Sequence, residues 1–154
     1  MQFVVAVVGK PRDANLAGAI RDYEMRASRY WPLHVHEVRE EPAPSGAADL
    51  VREREADRLL AAVPSGAMVV ACELTGRSMS SEQFAAWLQE LRERARDVAF
   101  AIGGAFGLGM AVRARATTSL SLAPWTLPHE LARLVLAEQL YRAGSIVRGE
   151  PYHK

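Results

Sequence analysis

Ile102-Gly103-Gly104-Ala105-Phe106-Gly107-Leu108-Gly109 closes the apolar run that begins at Val98, so a glycine loop ends a buried strand late in the chain. Common doubly wound nucleotide folds place their glycines after the first strand. Here a second loop, Leu122-Ala123-Pro124-Trp125-Thr126-Leu127, follows soon after. No Gly-Lys-Ser/Thr comes behind the glycines, which leaves a Walker-type triphosphate site unsupported. Taken alone, the loop is a tight strand-to-helix turn or a place where backbone approaches a ligand closely. The second loop favours the ligand, because Pro124 restricts its backbone while Trp125 and Leu127 offer apolar surface.

Working outward, Phe3 to Val8 is continuously apolar and ends at Gly9, as expected of a central strand buried on both faces. Leu16 to Ala27 carries apolar residues at helical spacing, Pro32 stops it, and Leu33 to Val38 reads as a second strand. Glu40 to Ala47 is a surface loop. A charged amphipathic helix is expected from Ala48 to Val63, with Leu50, Val51, Leu59 and Leu60 inward. Met68 to Cys72 is the third strand. Ser80 and Gln83 have capping-box spacing for a helix through Ala95, and Val98 to Ile102 is the fourth strand. A short helix at Met110 to Ala116, a fifth strand at Thr118 to Leu122 and a helix opened by Pro128 complete the chain. Alternating strands and helices predict an α/β fold, a parallel sheet flanked by helices. Ligands bind such sheets beyond the carboxyl ends of strands, where Cys72 to Gly76, Gly103 to Gly109 and Leu122 to Leu127 fall.

The 154 residues are the length of a single domain. Hydrophobic residues make up 49%, yet no run approaches the ~20 needed to span a membrane. Met1 to Val8 lacks a basic leader and reads as a strand, not an export signal. With Cys72 the only cysteine, no internal disulfide forms, which fits a reducing cytoplasm. Net charge is +1, low for gripping naked RNA by its phosphates, although 17 of the 19 basic residues are arginines, suited to phosphates and bases. His34 and His36 alternate on a strand without matching ligands, and no metal site is expected.

Ile102-Gly103-Gly104 with Gly107, Thr126-Leu127-Pro128-His129 with Leu131 and Arg133, Glu138-Gln139-Leu140-Tyr141-Arg142-Ala143, and Pro151-Tyr152-His153-Lys154 occur in this order. Together they resemble the SPOUT-class methyltransferases that modify a pseudouridine in large-subunit ribosomal RNA. The resemblance covers nearly the whole chain and is strongest from Val98 onward. It implies a SPOUT fold with a deep C-terminal trefoil knot, an exception to ordinary connection rules. It also implies S-adenosylmethionine held largely by backbone groups at Cys72, Leu74, Gly103, Gly104, Gly107 and Leu122, Ala123, Pro124, Trp125, Thr126, Leu127. Relatives commonly carry a larger apolar residue where Cys72 stands, and Cys72 also reads as a plain buried strand residue.

The implied reaction is methylation of N3 of a pseudouridine in 23S ribosomal RNA, within the assembled ribosome. That imide must lose a proton, and His129 and His153 are chemically able to take it. Arg133 and Arg142 are suited to hold phosphate or developing negative charge, and Tyr152 to stack on a base. Plainer readings stand beside these: His129 as a helix cap, Arg142 paired with Glu138 on a helix surface, and the tail as an unstructured end. Apolar residues lie all round the last helix, with Leu131, Leu134 and Val135 on one side and Leu136 and Leu140 on the other. Such a helix is buried in its core, in a partner, or in both; a homodimer is expected, and the resemblance implies that its second subunit helps to complete the RNA-binding surface beside the cofactor. The alternatives are another SPOUT enzyme acting on transfer RNA, or a non-catalytic nucleotide- or RNA-binding α/β module.

Overall fold

The computed structural model describes residues 1–43 and 47–153, with only the backbone of His153. Part of the expected 40–47 loop, the His153 side chain and Lys154 lie outside the described residues. Strands β1 (Phe3–Val8), β2 (Leu33–Val38), β3 (Met68–Arg77), β4 (Val98–Ile102) and β5 (Thr118–Leu120) alternate with helices α1 (Ala14–Ala27), α2 (Ala48–Ala61), α3 (Ser81–Glu93), α4 (Met110–Arg115) and α5 (His129–Val147). The strands form one parallel sheet in the order β2-β1-β4-β3-β5. The centre is β4, with β1 beside it. Both strands are buried along their whole length, which explains their unbroken apolar sequence. Edge strand β2 instead leaves His34 and His36 exposed.

Side chains alternate across the sheet. Phe3, Val5, Val7, Phe100 and Ile102 meet α1, α3 and α5 on one face. Ala6, Val8, Ala71 and Ala101 face α2 and α4 on the other, where small residues admit the helices closely. Crossovers toward the β2 edge carry α1 and α3, and crossovers toward the β5 edge carry α2 and α4. One handedness therefore runs throughout, as parallel connections require.

Local signals set the helix starts. Asp13 accepts from the Asn15 and Leu16 amides at 2.9 Å, and Ser80 and Gln83 close the expected capping box at 3.1 and 2.9 Å. Four expectations need correction. Leu50 is 52% exposed rather than inward, because α2 turns Val51, Glu55, Ala56 and Leu59 to the sheet. Strand β3 runs on to Arg77, pairing β5 at Cys72 and again at Arg77, with 73–76 bulged between. Strand β5 ends at Leu120, and α3 ends at Glu93, where Ala95 takes a left-handed conformation.

Helix α5 packs against α1 and α3 and is pinned at mid-length by Trp31, whose Nε1 donates to the Leu140 carbonyl at 2.8 Å. The Phe3 ring meets Trp31 edge-on at 5.2 Å. Trp31→Phe removes this buried bond and part of the packed volume, so it lowers unfolding free energy by about 1–3 kcal/mol. Trp125→Phe, at a side chain 77% exposed, changes it by less than ~0.5 kcal/mol. Urea denaturation of the two variants checks this contrast.

Candidate active site

A cavity of about 640 Å³ opens beyond the carboxyl ends of β3 and β4 and beside the chain leaving β5. Three segments wall it: Cys72 to Leu74, the glycine loop from Ile102 to Leu108, and Leu122 to His129, with Ala132 behind. The structure thus brings together Cys72, Leu74, Gly103, Gly104, Gly107, Leu122, Ala123, Trp125, Thr126, Leu127 and His129. Pro124 is exposed and does not line the cavity. Glu73 and Arg113 also line it, although neither was singled out from sequence. Arg113 Nε donates to Glu73 Oε2 at 2.8 Å and Ser119 Oγ to Glu73 Oε1 at 2.8 Å. Their meeting depends on α4 folding beside the end of β3, which no local spacing announces.

The wall is shaped by backbone meeting backbone. A Cβ on Gly103 would stand 2.5 Å from the Gly107 carbonyl carbon and 2.8 Å from the Leu108 nitrogen. One on Gly76 would stand 2.5 Å from the Leu120 carbonyl carbon. Within the loop, the Gly107 amide donates to the Gly104 carbonyl at 3.1 Å, and Gly107 has φ of 83°. Apolar burial, with Glu73 adding repulsion, pushes the Cys72 thiol up to about 12. It is a wall residue and not a thiolate nucleophile.

A family described as "Predicted SPOUT methyltransferase" matches residues 1–153. A relative from Gemmatimonas aurantiaca, named ribosomal RNA large subunit methyltransferase H, is 66% identical over 154 residues, the whole of both chains. The chain belongs to the SPOUT methyltransferase family. A relative of the same name from Syntrophotalea carbinolica is 41% identical over 99% of each chain. A crystal structure of TrmJ from Z. mobilis ZM4 is similar with a TM-score of 0.53 at 19% identity, covering 93% of this chain and 70% of that one. A crystal structure of a hypothetical protein gives 0.56 at 15% identity, covering 96% and 68%. At these identities both speak to the fold alone. Family membership implies a methyl donor.

In this SPOUT methyltransferase α5 carries the expected polar residues in different directions. His129, in the first turn, lines the cavity, with Nε2 4.0 Å from Glu40 Oε1. Arg133, one turn on, is buried: Nε donates to Glu24 at 2.7 Å and Nη1 to Glu37 at 2.7 Å, tying α5 to α1 and β2. These bonds outweigh the burial that would otherwise lower its affinity for a proton. Arg142 donates to Glu138 from Nε at 2.9 Å and lies 4.9 Å over the Tyr152 ring.

The tail is ordered by the end of α5. The Gly149 amide donates to the Ile146 carbonyl at 3.0 Å and the Glu150 amide to the Ser145 carbonyl at 2.9 Å, a Schellman turn. Pro151–His153 then forms one turn of 3-10 helix. The Tyr152 ring packs 4.5 Å from that of Tyr141, and its hydroxyl donates to Glu138 at 3.1 Å. Burial, then the Tyr23 and Glu138 hydrogen bonds, hold that hydroxyl in its protonated form. Tyr152, Arg142 and Glu138 therefore form one cluster, while Lys154 and the His153 side chain lie outside the described residues. Among the described residues, no group of three or more His, Cys, Asp or Glu could hold a metal ion, and no helix is long and apolar enough to cross a membrane.

Two variants separate these roles. Gly103→Ala forces the loop open against its own backbone, so it weakens ligand binding at the cavity about 10-fold or more while costing ~1–3 kcal/mol of stability; calorimetric titration and urea denaturation measure both. Arg133→Ala removes the charged hydrogen bonds to Glu24 and Glu37 and lowers stability by about 1–3 kcal/mol, readable as a shifted urea midpoint.

Proposed function

We propose that this SPOUT methyltransferase transfers a methyl group from S-adenosylmethionine to N3 of a pseudouridine in 23S ribosomal RNA, as a cytoplasmic homodimer acting on the assembled ribosome. The observation that carries the reading is the glycine-walled cavity at the carboxyl end of the sheet, in a chain whose full-length relatives are named ribosomal RNA large subunit methyltransferase H.

The residues present fit the cofactor. The cavity volume of about 640 Å³ lies within the ~300–1,000 Å³ usual for ligand pockets. Ile102, Leu122 and Leu127 give a purine apolar walls, and loop main chain offers donors and acceptors to its polar edges. A side chain at Gly103 would collide with the main chain of Gly107 and Leu108 and break that wall. Cys72, Leu74, the Gly103 to Gly107 loop and the 122–127 segment would hold the group, which supplies an already activated methyl on sulfonium. What remains for the protein is to align the acceptor nitrogen, exclude water and take up its proton.

In this reading His129 takes the N3 proton, since it lines the cavity and an imidazole nitrogen can accept one. Arg142, Tyr152 and His153 act on the RNA from the second subunit. His129 and Arg142 stand thirteen residues apart on one helix, about 20 Å at 1.5 Å per residue. A tail folded back on the far half of α5 is thus remote from its own cavity. The half-buried Leu131, Leu134 and Val135 give α5 an apolar flank for a second copy. The family's trefoil knot belongs to the same reading, supported by the backbone of Leu120 passing directly against Gly76. A net charge of +1 suits a substrate recognised by the shape of a particle more than by phosphate density.

The test is transfer of radiolabelled methyl from S-adenosylmethionine to ribosomes lacking the modification, beside ribosomes lacking the pseudouridine. Label is expected on the first set alone; label on neither, or on both, overturns the assignment. Tyr152→Ala is expected to cut transfer by about 10²-fold with cofactor affinity unchanged. Mixing Tyr152→Ala copies with Leu74→Arg copies, which block the cavity rim, restores about a quarter of wild-type transfer if tail and cavity meet across a two-fold dimer.

A further inference from the structure

Behind the glycine loop lies a carboxyl group that the chemistry above does not use. Glu55 sits on the inward face of α2, only 4% exposed. Oε1 accepts the Glu41 amide at 3.1 Å. Oε2 is fully buried and, among the described residues, has no hydrogen-bond partner. It lies 2.9 Å from the point where a Gly104 Cβ would stand, and Val8 Cγ1 lies 3.0 Å from that point. The missing side chain of Gly104 is thus the space that lets the carboxyl reach the back of the cavity wall.

The charged groups around Glu55 do not neutralise it. Glu40 and Glu41, from the segment after β2, add repulsion. Arg58, one turn along α2, is the cation in reach, yet its guanidinium is bonded to Glu41 and to the Arg39 carbonyl. From β1 and the glycine loop come Val8 and Gly104, which carry no charge. Among the described residues no cation pairs with Glu55. Burial is the largest influence, and it raises the group's affinity for a proton above that of an ordinary glutamate.

We propose that Glu55 is a positioning residue for the glycine loop: seated under Gly104 in its uncharged form, it props the Gly103 to Gly107 wall in the shape that receives the ligand. A bare carboxylate at this depth has to find donors or water. The loop main chain lies against it at Gly104, and any loop amide that turned toward it would do so at the expense of the cavity. Ligand binding is thereby linked to a proton held on Glu55. The inference rests on reading the cavity as the cofactor site, but its loop component can be read without any ligand.

The sign follows from the raised proton affinity. Below the ordinary glutamate value of about 4.3 folded and unfolded chains are both protonated at Glu55 and the group is neutral in its effect. Above it the unfolded chain ionises first, so Glu55 increasingly disfavours the fold until the folded carboxyl ionises too. Glu55→Gln escapes this and gains stability relative to wild type as pH rises.

The experiment is hydrogen exchange of the loop amides, corrected for intrinsic rate, together with calorimetric titration of S-adenosylhomocysteine, on wild type and Glu55→Gln from about pH 4, the ordinary glutamate range, up to about pH 9. In wild type, loop protection relative to β4 amides is expected to fall as pH rises, and affinity to fall several-fold, at most about tenfold per pH unit for one linked proton. In Glu55→Gln both profiles are expected to be flat. Parallel profiles in the two proteins, or constant loop protection in wild type, overturn the proposal. Loop exchange that follows the expected pattern without binding of S-adenosylhomocysteine supports Glu55 as the loop's prop and rejects the cavity as the cofactor site.

Discussion

Everything at the functional end of this molecule depends on backbone lying against backbone. The connection from β4 to β5 must cross over β3, and it does so with a tight glycine loop and a helix of six residues. So short a crossover leaves no room for side chains at Gly103 facing Gly107, or at Gly76 facing Leu120. The resulting wall presents amides and carbonyls where other nucleotide folds present a ribose-binding acid. The main-chain lining of the cavity is therefore a consequence of how the sheet is wired, not an addition to it.

The arginines have a similarly structural explanation. Several are already matched to acids: Arg12 with Glu40, Arg26 with Asp22, Arg54 and Arg58 with Glu41, Arg113 with Glu73, and Arg142 with Glu138. The 18 acids that bring the net charge to +1 thus include partners for these arginines. The exposed pairs contribute less than about 1 kcal/mol each, so a phosphate can displace the carboxylate at Arg12 or Arg26 with little loss to the fold. Arg133 is different, since its own guanidinium is buried between Glu24 and Glu37 and exchange would unpair it from both acids. Equal-looking arginines in the sequence thus divide into available and committed ones only when the packing of α5 against α1 and β2 is known.

That division marks how far the sequence could be read. Strands β1, β2 and β4 were legible because their burial is written in composition and alternation, and the start of α3 because its capping box is local. The cavity was legible in outline, since its three walls fall at strand ends. Three things were not: the continuation of β3 past its bulge, the Glu73 and Arg113 pair, and the exposure of Leu50. Each is decided by what lies across a crossover, tens of residues away. The tail was open to a plainer reading as an unstructured end, and its order comes from a Schellman turn and a stacked tyrosine pair that only the end of α5 brings together.

Helix α5 runs from the cavity to the tail. Its first turn holds His129 at the cavity, its second is tied down by the Arg133 ion pairs, its middle by Trp31, and its last turn orders the segment bearing Tyr152. A helix fixed at its centre by buried bonds has little freedom to bring its ends together. Adjustability has to lie instead in the surfaces its two ends meet: the glycine loop on one side and whatever approaches the tail on the other. Buried polar groups without partners are rare in folded proteins and call for a cause. Among the described residues the unpartnered buried side-chain oxygen is that of Glu55, directly behind the loop. The fold therefore keeps this unpartnered oxygen directly behind the glycine wall of the cavity.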